Sequence, residues 1–311
     1  MEKKATRESY GEGLVLLAEK RPDLVVLDAD LAAATKTGIF KKAYPDKHFD
    51  CGIAEANMMG VAAGIATTGK LVFASSFAMF AAGRAFEIVR NSICYPKLNV
   101  KIGATHAGIS VGEDGASHQC NEDIALMTAI PNMTVINPAD DVEAKAAVLA
   151  MADFVGPTYM RFGRLAAPIF NDAATYRFEI GKGVQLKDGK DITIIATGLM
   201  VGEAIEAGKA LAEQGIDARV INIHTIKPID RDIIIKAAKE TGKIVTVEEH
   251  SVIGGLGSAV ANVVTEECPV PVIKIGVKDC FGHSGPAAAL LKEFGLCAEN
   301  IVAVTKAALG K

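Results

Sequence analysis

The sequence of 311 residues lacks tryptophan, any CxxC pair of cysteines and any excess of basic residues. Its net charge is -4 and its lysines and arginines are scattered, so it offers no positive surface for a nucleic-acid backbone. No apolar run approaches the roughly 18 residues of a membrane-spanning helix, and the first residues lack the apolar part of a signal peptide. The six cysteines lie far apart, which predicts reduced thiols and argues against structural zinc. We therefore expect a cytoplasmic protein that binds neither nucleic acid nor membrane.

Short apolar runs rich in β-branched residues alternate with longer segments of helical spacing, a pattern typical of parallel sheets between layers of helices. The predicted fold class is therefore α/β, with two domains that each contain a parallel or mixed sheet. A stretch rich in glycine and lysine separates the two halves. We expect domains at 1–180 and 191–311, joined by a linker at 181–190. The main predicted strands are 24–27, 71–74, 98–104, 133–136, 191–197, 218–223, 243–247 and 270–275.

The loop at 105–119, THAGISVGEDGASHQ, carries two histidines, two acids and three glycines after the strand predicted at 98–104. Open α/β sheets bind ligands at the carboxyl ends of their strands, so this loop is a candidate site. His106 and His118 could transfer protons to and from hydroxyls or carbonyls. Eleven residues separate them, which matches no short-range metal motif, and we predict no metal site here. Capping of the next helix by His118 and Asp114 is the structural alternative.

Three further residues before this loop could carry chemistry. Glu55 lies among small and apolar residues at a predicted helix start, where a poorly solvated carboxyl would suit proton handling. An acid that merely favours the N-terminus of a helix is the alternative. Phe77 and Phe80 follow a predicted strand three residues apart and could stack on a flat ring. Ordinary core packing explains the same spacing.

Two arginines, Arg161 and Arg164, lie in an extended run at 157–168. The second of them falls in a turn that contains glycine. A forked guanidinium at the end of a strand suits a phosphate oxyanion. A surface ion pair explains the same arginines equally well, so the sequence leaves both interpretations open.

Taken in order, these segments resemble the transketolase family of thiamine diphosphate enzymes. The resemblance spans nearly the whole chain, and it implies a pyrimidine-binding domain followed by a transketolase C-terminal domain. Ala34 departs from the family pattern, because most members have a serine there that contacts the substrate phosphate. The matching motifs are ATRESYGEGL near the start, GIAE around Glu55, FxxF at Phe77 and Phe80, THxxxxVGEDGxxHQ at 105–119, the arginine at Arg164 and FGHSG at 281–285.

The resemblance implies that four residues contact thiamine diphosphate or lie beside it. Glu55 would hydrogen-bond N1′ of the aminopyrimidine and favour the imino tautomer, whose 4′ nitrogen removes the proton from C2 of the thiazolium ring. Phe77 and Phe80 would pack against the pyrimidine. Asp30 would lie near the cofactor at a subunit interface.

The resemblance also implies a substrate site for sugar phosphates. His106 and His118 would handle protons at the carbonyl and hydroxyls of the donor. Asp114 would orient a substrate hydroxyl, and Arg164 would bind the sugar phosphate. The implied reaction transfers a two-carbon ketol unit from a ketose phosphate to an aldose phosphate.

The sequence contains no GDG motif followed by an asparagine, the pattern with which this family binds the diphosphate and its divalent metal. The resemblance therefore implies a split enzyme. A separate N-terminal subunit would carry the diphosphate-binding domain together with Mg²⁺ or Ca²⁺. We expect a dimer of heterodimers with active sites across the interfaces, and a chain that is inactive alone.

Three alternatives stay open. The beta subunit of a 2-oxoacid dehydrogenase decarboxylating component also separates the two cofactor domains onto different chains. 1-Deoxyxylulose-5-phosphate synthase shares several motifs, but it typically has arginine in place of His106 and a small residue in place of Glu113. The third alternative is a catalytically silent binding or regulatory chain, against which the intact set of Glu55, His106 and His118 argues.

Overall fold

The alternation of apolar runs and amphipathic segments produces strands joined by crossover helices. The computed structural model describes residues 2–311, and this part of the chain contains fourteen strands and twelve α-helices. Two π-helical segments, Met79–Arg84 and Val89–Cys94, flank α5, and 3₁₀ turns lie at Pro45–Lys47 and Ile109–Asp114. The strands are β1 (Lys3–Ala5), β2 (Val25–Asp28), β3 (His48–Asp50), β4 (Val72–Phe77), β5 (Val100–Thr105), β6 (Thr134–Ile136), β7 (Thr158–Phe162), β8 (Ala166–Pro168), β9 (Val184–Lys187), β10 (Ile192–Ala196), β11 (Ala218–Asn222), β12 (Thr225–Lys227), β13 (Ile244–Ser251) and β14 (Val272–Val277). The helices are α1 (Thr6–Lys20), α2 (Ala32–Thr35), α3 (Thr37–Ala43), α4 (Glu55–Ala66), α5 (Phe86–Ile88), α6 (Asp123–Ala129), α7 (Asp141–Ala150), α8 (Met200–Glu213), α9 (Arg231–Thr241), α10 (Leu256–Glu267), α11 (Ala287–Glu293) and α12 (Ala298–Ala308).

The first sheet has seven strands in the order β12-β6-β7-β5-β4-β2-β3. Its strands are parallel except β12, which comes from the second half of the chain and pairs antiparallel with β6. Strands β4, β5 and β7 are buried along their whole length, because helices cover both faces of a parallel sheet. The carboxyl ends of the six parallel strands therefore meet at one edge.

The second sheet has five strands in the order β14-β13-β10-β11-β9. Four of them are parallel, and β9, which lies within 181–190, forms an antiparallel edge. A separate two-stranded ribbon joins β1 to β8. None of the helices in residues 2–311 combines the length and the apolar character needed to cross a membrane.

The predicted α/β class with parallel or mixed sheets is confirmed. All eight of the main predicted strands coincide with strands of the two sheets. β7 and β8 fall in the extended run predicted at 157–168. Sequence analysis missed β1, β3, β9 and β12, each of which has only three or four residues. Segments this short are below the length at which an alternating pattern is recognisable.

A buried ionic cluster joins the two halves. Arg161 is 4% exposed, and its Nε donates to the carboxylate of the fully buried Asp123 at 2.8 Å. The same guanidinium donates through Nη2 to the backbone carbonyl of Glu249 in β13 at 2.9 Å. Arg161 therefore links the two sheets. Neither interpretation of the sequence applies to it, because it is neither a surface ion pair nor an anion ligand at the sheet edge.

Candidate functional site

The candidate residues lie along the carboxyl edge of the first sheet. Parallel sheets bind ligands at this edge, since the loops that leave neighbouring strands form a crevice. The candidates are Asp30 after β2, Glu55 after β3, Phe77 and Phe80 at the end of β4, His106, Asp114 and His118 after β5 and Arg164 after β7.

Glu55 is the first residue of α4 and is only 1% exposed. Its Oε2 accepts a hydrogen bond from Nη1 of Arg84 at 2.7 Å. Its Oε1 has only a long contact, 3.5 Å, with the hydroxyl of Ser76. A carboxylate removed from water needs charge and hydrogen bonds to replace hydration, and Arg84 supplies the charge. The lone pairs of Oε1 remain available to a further donor.

Phe77 and Phe80 form a stacked pair with ring centroids 6.0 Å apart. Phe77 is buried and also stacks on His106, with centroids 3.9 Å apart. Phe80 is half-buried and meets His118 edge-on at 5.4 Å. The outer part of this aromatic cluster is covered by Arg84, whose Cζ lies 4.6 Å from the centroid of Phe80. Two aromatic rings and two imidazoles thus form one continuous surface beside Glu55.

His106 is held as a neutral ring with a defined tautomer. Its Nε2 lies 2.9 Å from Nη1 of Arg7, and because arginine can only donate, Nε2 accepts. The proton of the neutral ring is therefore on Nδ1, which donates to Oγ1 of Thr105 at 2.8 Å. Burial, with help from Arg7 and Arg164, lowers the pKa of His106 to about 3. His106 can accept a proton only if this cationic environment changes.

Arg7 was not among the predicted residues, although it belongs to the ATRESYGEGL motif. It lies in the first turn of α1 and also donates to the backbone carbonyl of Ala34 at 3.1 Å. Its Nε is buried and has no hydrogen-bond partner among the described residues. Burial, followed by repulsion from Arg164, lowers the pKa of Arg7. An incompletely paired guanidinium next to a second one is suited to binding an anion.

Arg164 is tied to the loop that follows β5. Its Nη1 donates to the backbone carbonyl of Val111 and to the carboxylate of Glu113, the latter at 3.2 Å. The side chain of Arg164 is 36% exposed, so part of the guanidinium faces solvent at the sheet edge. Arg164 forms an ion pair with Glu113, and the exposed part of its guanidinium is open to an anion, so both the ion-pair and the anion-binding interpretations apply. Arg164 also lies close enough to His106 to lower the pKa of that ring.

The remaining candidates, Asp114, His118 and Asp30, make no hydrogen bond to Glu55. Asp114 ends the 3₁₀ turn and is exposed. His118 is half-buried, and its Nδ1 lies 2.9 Å from the hydroxyl of Ser117. Asp30 is exposed and has a left-handed backbone, with φ 59°, while its amide donates to Asp50 at 3.0 Å. These residues are on the same edge as Glu55, and the structure records no hydrogen bond that links Asp30, Asp114 or His118 to it.

The second half of the chain fixes the loop at 105–119. The carboxylate of Glu249 accepts from the amide of Ser110 at 2.6 Å, and the side chain of Gln119 donates to the carbonyl of His283 at 3.0 Å. Burial raises the pKa of Glu249, which the amide hydrogen bond and the charge of Arg161 oppose. Both sheets therefore determine where His106 and His118 lie.

The acceptor and the aromatic rings at the sheet edge fit an aminopyrimidine. Such a ring needs a carboxylate for its ring nitrogen and an apolar surface for its face, and Glu55 with Phe77 and Phe80 provides both. The underused Oε1 of Glu55 is the observation that favours an external ligand. Across residues 2–311, no group of three or more His, Cys, Asp or Glu side chains is arranged to hold a metal ion.

Sequence analysis missed Arg7 and Arg84, and the two differ in how far they could have been found. Arg7 lies in a motif that the sequence displays, so its position could have been flagged. Arg84 meets Glu55 across 29 residues of sequence, and no local spacing connects a helix start with the end of a distant π-helical segment. Contacts of this kind are set by tertiary packing.

Comparison with known proteins identifies the relatives of this chain. The family model described as "Transketolase, pyrimidine binding domain" matches residues 2–169, and the one described as "Transketolase, C-terminal domain" matches residues 181–301. The chain is 54% identical over 300 residues to a "Putative transketolase C-terminal section" from Methanocaldococcus jannaschii, covering 96% of this chain and 94% of that protein. It is 44% identical over 296 residues to a 6-deoxy-6-sulfo-D-fructose transketolase subunit from a Clostridium species, covering 95% and 92% of the two chains.

A solved structure extends the likeness to three dimensions. It is described as "Split gene transketolase, inactive beta4 tetramer", and it is 54% identical to this chain with a TM-score of 0.90. The match covers 98% of both chains. With family models on both halves and a relative this similar along nearly its whole length, the chain belongs to the transketolase family.

Proposed function

We propose that this chain is the C-terminal subunit of a two-chain transketolase that uses thiamine diphosphate. It would transfer a two-carbon ketol unit from a ketose phosphate to an aldose phosphate, a reaction of the pentose phosphate pathway. The observation that carries the proposal is the convergence of a buried carboxylate, a stacked phenylalanine pair and a histidine–arginine cluster at one sheet edge. The similarity along almost the full length of a transketolase C-terminal section supports the two-chain organisation.

The side chains at the carboxyl edge of the first sheet would make the contacts with the cofactor. Glu55 would share a proton with N1′ of the aminopyrimidine, while Phe77 and Phe80 would exclude water from the ring. Asp30 would lie beside the cofactor where the subunits meet. When bound, thiamine diphosphate supplies the electron sink for cleavage of the carbon–carbon bond. The partner subunit would bind the diphosphate and its Mg²⁺ or Ca²⁺.

The histidines would handle protons at the donor sugar. His106 is neutral in this structure, and its Nε2 is the basic nitrogen, although Arg7 currently occupies it. An anionic substrate that binds Arg7 would draw that guanidinium away from Nε2 and leave the nitrogen free to take a hydroxyl proton. His118 is half-buried at the rim of the aromatic cluster, where it could reach the carbonyl oxygen of the donor.

The anionic end of the substrate would bind between Arg7 and Arg164. The unpartnered Nε of Arg7 and the partly exposed guanidinium of Arg164 supply donors in the forked geometry that phosphate prefers. Asp114 would orient a hydroxyl of the sugar. The relative that acts on a sulfo-sugar indicates that the anion itself varies within the family, so we propose sugar phosphates as the first class to test.

Reconstitution of the complex tests this assignment. The chain is mixed with the candidate N-terminal subunit, thiamine diphosphate, Mg²⁺, xylulose 5-phosphate and ribose 5-phosphate, and a seven-carbon ketose phosphate is measured by mass spectrometry. The chain alone should give no product. The complex should sediment as a dimer of heterodimers. Failure of the complete mixture to form the seven-carbon product would refute the sugar-phosphate assignment.

Glu55→Gln separates the role of the carboxyl from assembly. The variant should keep the complex intact and lose at least roughly a hundredfold in kcat, because the amide cannot exchange a proton with the ring nitrogen. Glu87→Gln, on the exposed side of α5, removes an equal charge close by and should retain normal turnover. Near-normal kcat in Glu55→Gln would contradict the proposed role.

A further inference from the structure

Arg84 makes the two contacts that an aminopyrimidine would make at this site, one with Glu55 and one with Phe80. Its Nη1 donates to Oε2 of Glu55 at 2.7 Å, and its guanidinium lies over the face of Phe80 with Cζ 4.6 Å from the ring centroid. A guanidinium and an aminopyrimidine share a planar N–C–N unit with donating N–H groups. Both can form a charge-assisted hydrogen bond to a carboxylate while stacking on an aromatic ring.

The two contacts of Arg84 differ in their surroundings. The carboxylate end is buried, since the side chain of Glu55 is 1% exposed, whereas the side chain of Arg84 is 51% exposed. Arg84 therefore approaches from solvent and closes the outer side of the Glu55 and Phe80 pair. Its backbone belongs to the π-helical segment Met79–Arg84, and π-helical turns are often found at functional sites.

We propose that Arg84 competes with thiamine diphosphate for Glu55 and the face of Phe80, so that the cofactor binds only after Arg84 has left both. In the free chain Arg84 supplies the counter-charge that a buried carboxylate requires. When the aminopyrimidine arrives, it takes over this hydrogen bond and the ring face, and Arg84 turns out to solvent. The inference rests on the proposed function, because the competing ligand is the cofactor assigned there.

A competing state lowers the apparent affinity for a ligand by the fraction of molecules in which the site is free. Arg84→Gln removes the charge and the planar cation, so the complex of this chain with its N-terminal subunit should bind thiamine diphosphate more tightly. An ion pair with one exposed partner is of modest strength, and we expect the dissociation constant to fall by roughly three- to tenfold. Arg84→Lys, which keeps the charge but loses the planar group, should give an intermediate value.

Isothermal titration of the assembled complex with thiamine diphosphate and Mg²⁺ measures these constants. Arg90→Gln is the matched control, because Arg90 is exposed six residues further on and donates to Asn91 at 2.6 Å. Its dissociation constant should equal that of the wild type. If Arg84→Gln binds the cofactor with unchanged or weaker affinity, the competition is refuted, and weaker binding would show that Arg84 holds Glu55 in place for the ring. If the wild-type complex binds no cofactor, the proposed function and the competition both fail.

Thermal unfolding of the isolated chain gives a readout that needs no cofactor. In the isolated chain, Arg84→Gln should lower the unfolding midpoint, and the decrease should be smaller in a Glu55→Gln background, where no buried charge is left without a partner. In the cofactor-loaded complex, Arg84→Gln should no longer lower the midpoint, because Arg84 has already left Glu55. A decrease in the midpoint for Arg84→Gln that is as large in the loaded complex as in the isolated chain would overturn the proposal.

Discussion

Nη1 of Arg7 lies 2.9 Å from Nε2 of His106, and this contact determines the protonation of the imidazole. The two residues are 99 positions apart, at the start of α1 and after β5. Because the guanidinium can only donate, it fixes the lone pair of Nε2 and places the ring proton on Nδ1. A cationic residue thus controls the residue to which we assign proton transfer.

Arg7→Met should impair reactions of phosphorylated donors specifically. One charge-assisted hydrogen bond contributes about 1.5–3 kcal/mol, so kcat/KM for xylulose 5-phosphate should fall by roughly 10- to 100-fold. Xylulose, which lacks the phosphate, should be affected much less. Arg177→Met is the matched control, since Arg177 is exposed and donates to backbone carbonyls of its own turn. Equal losses for both sugars would show that Arg7 does not contact the anion.

The His106 ring should not titrate in the neutral range. Burial and the neighbouring Arg7 lower its pKa to about 3, whereas the exposed His283, which is hydrogen-bonded to Glu293, has a raised pKa. Long-range ¹H–¹⁵N NMR spectra between pH 5 and 8 should therefore show a constant neutral Nδ1–H tautomer for His106 and a titrating ring for His283. Arg7→Met should move the His106 transition upward. A His106 transition near pH 6.5 in the wild type would contradict the described hydrogen bonds.

Acid should destabilise the chain through His224. This ring is 1% exposed and packs on Phe178, and burial lowers its pKa from 6.5 to about 4. Between these values the unfolded state binds the proton and the folded state does not. The stabilisation by the neutral ring is therefore complete above pH 6.5 and is lost as the pH falls toward 4, by roughly 3 kcal/mol.

Urea unfolding at several pH values isolates this contribution. The difference in free energy of unfolding between the wild type and His224→Gln should shrink from pH 7.5 to pH 4.5. The same comparison for the exposed His283→Gln should be small and of opposite sign, because its folded pKa is raised. A His224 difference that is constant over this range would show that the folded ring titrates normally.

The sequence predicts the sheets and the edge that carries the candidate site, but not the contacts between distant loops. Apolar runs define β4 and β5 because their periodicity is local. Three contacts join residues far apart in sequence: the pairing of β12 with β6 in the first sheet, the Arg84–Glu55 pair and the Arg7–His106 contact. Their positions depend on how α1, the π-helical segment and the second sheet pack, and no single window of sequence contains that information.

Gly103→Ala should destabilise the centre of the first sheet. A β-carbon at this position of β5 would overlap the hydroxyl of the fully buried Tyr10, which is hydrogen-bonded to Ser75 at 2.6 Å. Overpacking and loss of this hydrogen bond should together lower the free energy of unfolding by about 2–4 kcal/mol. Gly60→Ala in α4, where a β-carbon meets nothing within 4 Å, is the control and should be neutral or stabilising. A Gly103→Ala chain as stable as the wild type would mean that Tyr10 can move aside freely.

Removing either partner of the ion pair between Arg161 and Asp123 should destabilise the folded chain, because the other charge would remain buried without a partner. Both side chains are buried, and Asp123 also accepts from the hydroxyl of Tyr159 at 2.8 Å. Arg161→Met or Asp123→Leu alone should lower the free energy of unfolding by about 3–5 kcal/mol, because each leaves an unpaired charge in the core. The double variant removes both charges and should recover most of that loss. Urea denaturation of the four proteins measures the coupling directly, and additive losses would show that each residue acts through packing and not through the pair.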